Sequence, residues 1–236
     1  MKINIQAMEN PSESTKCPNC GNVYTFSPAL IENAPGTETW SDGFISTSLH
    51  NDVLEFAKCM GCQTLFFIQD NLVENNDDTS AIKKIDNEWL INDVGNKEII
   101  FIKEALRLIP GKEIQLRIKL WHLINHFYRQ YDSQGFMKKW KTKLLDGGAS
   151  KDSLKQYKAL SSMKISNLIR LVNLLKADKT TSHSSVLFAE IYRELGDFSK
   201  AITFCHKAET TMQVDQNRIK ILKQQISNKV KTVYKI

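Results

Sequence analysis

The chain has 236 residues, 42% of them apolar and 25% charged, with a formal net charge of +6. These values describe an ordinary folded protein of one or two domains, not a disordered or collagenous chain. The longest apolar runs, such as Leu65-Phe66-Phe67-Ile68, are far too short for a membrane span, and the polar stretch Met1–Ser14 has no secretory h-region.

The charge is divided unevenly. Residues 1–78 hold three basic side chains against eleven acidic, whereas 79–236 hold 29 against 15. Such a division predicts two domains and raises the question of an anionic partner for the basic part. The expected organisation is a flexible leader (1–15), a metal-ribbon domain (16–78) and a helical domain (79–236).

After the leader comes Cys17-Pro18-Asn19-Cys20-Gly21, echoed by Cys59-Met60-Gly61-Cys62. Each Cys-x-x-Cys turn places two sulfurs at the tip of a knuckle, and two knuckles can close a tetrahedral four-thiolate shell on one zinc ion. Pro18 stiffens the first turn, and Gly21 tolerates positive φ after the second sulfur. A redox role is the rival reading, but that needs one such motif beside a βαβ pattern. Cys17, Cys20, Cys59 and Cys62 are therefore the expected ligands of a single structural Zn2+. Four thiolates leave no open position for catalysis. The fifth cysteine, Cys205, remains unpaired, which suits a reducing cytoplasm.

Between the knuckles lie 38 residues, enough for an inserted hairpin. Val23–Phe26 has strand composition. Thr37–Trp40 alternates into Ser41-Asp42-Gly43, an Asp-Gly turn signal, and Phe44–Thr47 returns. Val53–Lys58 leads into the second knuckle and Thr64–Ile68 leaves it. The expectation is a small antiparallel ribbon that depends on its metal to stay folded.

Residues 71–80 read as a linker, and beyond them the apolar period lengthens from two to about 3.6. Helices are predicted over Ala81–Asn92 and over Glu98–Ile109, the latter stopped by Pro110-Gly111. Glu113–Tyr131 begins with strand-like alternation at Ile114, Leu116, Ile118 and Leu120. It continues with helical spacing at Leu123, Phe127 and Tyr131, which favours a helix. A basic amphipathic segment, Phe136–Leu145, precedes the Asp146-Gly147-Gly148 break. Leu154–Lys176 reads as a helix interrupted near Ser161-Ser162, and Asp215–Tyr234 as a final helix with Ile219, Leu222, Ile226, Val230 and Val233 on one stripe.

Ser184–Ala208 resembles one tetratricopeptide helical hairpin. Ala189, Gly196, Ala201 and Ala208 stand at that family's small positions and Tyr192 at its aromatic one. One such unit needs neighbouring helices to bury its faces. The order of parts over roughly residues 17–210 resembles an uncharacterised family of bacterial zinc-ribbon proteins with a tetratricopeptide-like C-terminal half. The likeness is carried by Thr39-Trp40-Ser41-Asp42-Gly43, by Cys59-x-x-Cys62 with Leu65-Phe66-Phe67, by Leu116–Trp121, by Asn125–Arg129, and by Glu190–Gly196. It departs at Met60, where the family usually has proline, and in lacking a proline-rich run before the second knuckle. The resemblance implies an α+β protein, a zinc ribbon followed by an all-α domain of antiparallel helices. It implies no activity.

Other chemistry is sparse. His122 and His126, four apart, would share a helix face, but the glutamate that a zincin helix places after its first histidine is Leu123 here. Asn125 and Arg129 lie on a related face and could clamp a carboxylate or phosphate; a helix-packing contact explains them equally. Lys138-Lys139-Trp140-Lys141-Thr142-Lys143 is the sharpest basic cluster, read either as a phosphate-binding segment or as a solvated amphipathic face. The preferred reading is a non-enzymatic adaptor for a protein partner. Nucleic-acid association through the basic half and an enzyme with an unrecognised site are the alternatives.

Overall fold

A computed structural model describes residues 13–26, 38–46, 56–73, 83–84, 96–132, 151–179, 184–210 and 216–235. Small strands occupy the N-terminal part and helices the C-terminal half, an α+β arrangement. The chain divides into two compact units: residues 1–37 with 46–92, and residues 38–45 with 93–236. The basic segment Phe136–Leu145 lies outside the described residues.

In the first unit, β1 (Glu13–Lys16) pairs antiparallel with β2 (Val23–Phe26) across the first knuckle. The leader expectation therefore fails at its end. Ser14 and Thr15 are buried, and Thr15 Oγ1 donates to Ile68 O (3.2 Å) and Asn71 O (3.0 Å). The second knuckle is flanked by β5 (Phe56–Lys58) and β6 (Leu65–Phe67), again antiparallel. β7 (Leu72–Val73) adds to β1, and β8 (Lys83–Lys84) pairs with β2 in parallel. That last pairing corrects two expectations. The sheet is not wholly antiparallel, and a strand stands inside the stretch 81–92 predicted as helix. Tyr24, Ala57, Phe66 and Ile68 pack with Cys17 and Cys59 into a small core.

The second unit begins with an element expected in the first. The hairpin β3 (Glu38–Thr39) and β4 (Ile45–Ser46) frames the turn around Asp42, and residues 38–45 belong with the helices. Helices α1 (Asn96–Leu108) and α2 (Glu113–Asp132) are separated by the Pro110–Lys112 turn. Leu116, Leu120, Leu123 and Ile124 are buried along α2, so the helical period prevails over the early alternation. Helix α3 (Lys151–Ala177) runs unbroken through Ser161-Ser162, because its buried stripe of Leu160, Leu168, Leu171 and Leu175 continues on both sides.

Helices α4 (Ser185–Leu195) and α5 (Phe198–Glu209) are defined by their caps. Ser184 Oγ accepts from Val186 N and Asp197 Oδ1 from Lys200 N. Gly196 sits at φ +83, where its own N–H and that of Asp197 satisfy the carbonyls of Arg193 and Tyr192. Helix α6 (Gln216–Ser227) is shorter than predicted. Lys229, at φ +54, turns the chain out of the helix, and Val230–Lys235 continue as a non-helical strap with a bend at Thr232. Val230, Thr232 and Val233 are β-branched, which lowers their preference for continuing the helix. Trp121, Leu168, Leu171, Ile191, Ile219 and Leu222 are central to the helical core.

Candidate metal centre

The first knuckle is built by Cys17 N donating to Asn22 O (2.8 Å) and Gly21 N to Cys17 O (3.0 Å). The second repeats this pattern, with Cys59 N to Thr64 O (2.8 Å) and Gln63 N to Cys59 O (2.8 Å). Gly21 (φ +75) and Gln63 (φ +61) occupy equivalent left-handed positions, so the less regular sequence still makes the same turn. Gly61 faces the first knuckle: a Cβ there would lie 2.4 Å from Asn22 Nδ2, the end of a side chain that can turn away. The two knuckles thus approach closely.

That approach brings the four sulfurs together, all within 4.8 Å of one another. Cys17 Sγ lies 3.6 Å from Cys62 Sγ, and Cys20 Sγ lies 3.4 Å from Cys59 Sγ. A tetrahedron of metal–sulfur bonds of ~2.3 Å has edges of about 3.8 Å. The donor set and its spacing thus fit one metal ion. Cys17 and Cys59 are buried, Cys62 is half-buried and Cys20 is exposed.

Neighbouring groups fix two of the sulfurs. Tyr24 Oη is 3.1 Å from Cys59 Sγ and accepts from Met60 N at 3.0 Å, leaving the phenol proton for the sulfur. Thr64 Oγ1 stands 3.2 Å from Cys62 Sγ. The Thr64 hydroxyl and the Asn19 side chain hold the Cys62 thiol down to about 5. A backbone hydrogen bond from Asn22 pulls Cys20 down, but contact with Cys59 and the other sulfurs outweighs it and pushes Cys20 up to about 12. Four thiols this close cannot all ionise without a cation. A bound dication would displace the remaining protons.

The remaining sequence candidates lie elsewhere. Among the described residues no metal-fit cluster includes His122 or His126. Asn125 and Arg129 do clamp a carboxylate, but it is the protein's own. Asp42 pairs with Arg129, and its Oδ2 accepts from Asn125 Nδ2 at 2.8 Å. His122 Nε2 lies 3.1 Å from Asp42 O, and the Arg129 guanidinium stacks 4.2 Å from the Phe44 ring centroid. Burial alone would raise Asp42, but the charge of Arg129 and the other groups facing it hold it below the usual carboxylate range. Burial pushes His122 down, towards its neutral form.

The network continues through Glu194, which sequence reading left unremarked. Its carboxylate accepts from Trp121 Nε1 (3.0 Å) and Asn125 Nδ2 (3.2 Å) and pairs with Lys164 Nζ (2.6 Å). Burial raises Glu194 to about 6 despite Lys164. Beside it Arg193 makes two bonds to Glu190, at 2.6 and 2.9 Å. Three acids (Asp42, Glu190, Glu194) therefore face three bases (Arg129, Lys164, Arg193), all of them buried. No spacing rule announces such a set. Comparison of the chain with protein-family models, with curated proteins and with solved structures finds no match in any of the three.

Proposed function

We propose that the first unit is a zinc ribbon holding one structural Zn2+ through Cys17, Cys20, Cys59 and Cys62, and that the protein is a non-enzymatic adaptor for a protein partner. The convergence of four sulfurs carries this reading. An all-thiolate shell is coordinatively closed, so the metal's contribution is to hold the knuckles together rather than to activate water. The buried charges of the helical unit answer one another, a structural use of polar groups rather than a catalytic one. The tetratricopeptide-like reading of α4 and α5 is supported by Ala189, Ala201 and Ala208, each fully buried, and by the left-handed cap at Gly196. Among the described residues no helix is long and apolar enough to cross a membrane. The one cysteine outside the metal set, Cys205, is a buried free thiol, which suits a reducing cytoplasm.

The test is native affinity isolation of the intact protein and of a Cys17→Ser/Cys59→Ser variant, with metal analysis of each and nuclease treatment of half the material. A protein partner retained after nuclease and lost from the variant supports the adaptor. Partners released by nuclease favour the nucleic-acid alternative, and would direct attention to Lys138, Lys139, Lys141 and Lys143.

A further inference from the structure

The non-helical strap Val230–Lys235 is seated on the helical unit by its main chain. Arg193 Nη1, on α4, donates to Val230 O (2.5 Å) and to Thr232 O (2.9 Å). Ser41 N donates to Tyr234 O (2.9 Å), and Tyr234 N to Ser41 Oγ (3.3 Å). Trp40 and Lys235 form an antiparallel bridge, and Lys235 Nζ meets Glu38 Oε1 at 2.6 Å.

Two features separate this seat from ordinary tail packing. Val230, Thr232 and Tyr234 are gripped through main-chain atoms, the part of a strand that is the same in every sequence. The grip also comes from a fully buried guanidinium that is at the same time paired with Glu190. Side-chain selection is confined to three positions. Val233 is buried, the Tyr234 ring lies 5.0 Å from the Arg193 guanidinium, and Lys235 answers Glu38. Main-chain bonds for affinity and side-chain contacts for specificity are how a strand-addition site divides its work. The strap also leaves α6 through a non-glycine residue in the left-handed region, Lys229, so its attachment point is strained.

We infer that the groove between the Trp40–Ser41 edge and α4 is a strand-addition site for an extended peptide of the pattern β-branched, aromatic, basic, and that the strap is its resident, displaceable occupant. This rests on the adaptor reading and gives it a surface. Tethering gives the strap a high effective concentration, so a partner segment enters after the strap opens locally.

Hydrogen exchange on the full-length wild-type chain measures that opening. The amides of Ser41 and Tyr234 should be at least ~100-fold less protected than those of Ile191 and Tyr192 in α4. A fluorescent peptide with the sequence of residues 229–236 should then bind the full-length chain. It should bind at least about tenfold more tightly when Val233→Asp weakens the resident strap, a gain lost on adding Arg193→Lys. Exchange of all four amides in one cooperative step, or no peptide binding by wild type and Val233→Asp alike, overturns the inference. A partner captured by the intact protein whose binding the free peptide leaves unchanged would also overturn it while leaving the adaptor standing.

Discussion

Arg129, on α2, closes a fully buried ion pair on Asp42, 87 residues earlier, with side chains 4% and 0% exposed. This contact fixes the Trp40–Phe44 turn to the helical unit. Removing one partner of a buried pair leaves an uncompensated charge and typically costs about 3–5 kcal/mol, whereas an apolar replacement of both can be close to neutral. Arg129→Met and Asp42→Leu singly should therefore each destabilise more than the double variant does. Denaturant melts of the four-member cycle read this directly. Additive losses would show that the pair contributes nothing as a pair.

Glu194 gives stability a pH dependence opposite to that of Asp42. Its folded-state value, about 6, lies above the ordinary 4.5. The folded chain then holds a proton that the unfolded chain has released, so this contribution is full below about 4.5 and is lost as pH rises through about 6. The loss is about 2 kcal/mol for a shift of this size. Asp42, held below its ordinary value, stabilises above about 3.8 and loses that as pH falls. Subtracting the stability profile of Glu194→Gln from that of wild type should give a curve that falls between pH 4.5 and 6. A flat difference would remove Glu194 as its source.

Gly196 stands at φ +83, and a Cβ there would lie 2.4 Å from Lys231 Nζ and 2.5 Å from its Cε. Gly196→Ala should cost about 1–2 kcal/mol from the left-handed backbone. Adding Lys231→Ala removes the collision but not the backbone cost. Thermal melts of the single and double variants separate the two.

Removal of the metal should act on one unit. The first unit has a small core around Cys17, Tyr24 and Phe66, while the second has a large one of its own. The purified protein should contain one zinc per chain. Chelation should abolish protection of the β1, β2, β5 and β6 amides while helical circular dichroism persists. A metal content near zero, or joint loss of both signals, contradicts this.

Tyr24→Phe tests the group behind the ligands. It deletes the hydroxyl between Cys59 Sγ and Met60 N and keeps the ring. Loss of a hydrogen bond to a ligand commonly weakens metal binding about 10–100-fold. Competition against a chromogenic chelator should show a shift of that order, with the metal still bound at saturation. Unchanged affinity would reduce Tyr24 to a packing residue.

The amino-acid sequence alone determined whatever depends on short-range spacing. Cys-x-x-Cys fixes a knuckle because a tight turn needs only its own residues, and the apolar periods of α2 and α3 mark helices because neighbours along one chain decide them. Gly196 marks the end of α4 for the same reason. Tertiary structure decided what depends on partners far along the chain. Ser41-Asp42-Gly43 reads as a hairpin turn and is one, yet its carboxylate is claimed by Asn125 and Arg129, which draws residues 38–45 out of the first unit and into the second. Val230 and Val233 continue the spacing of α6, but Arg193 holds the carbonyls of Val230 and Thr232, and Ser41 the main chain of Tyr234, in a non-helical strap. Buried polar groups must find partners wherever the fold places them, and a local pattern cannot specify which distant residue that will be.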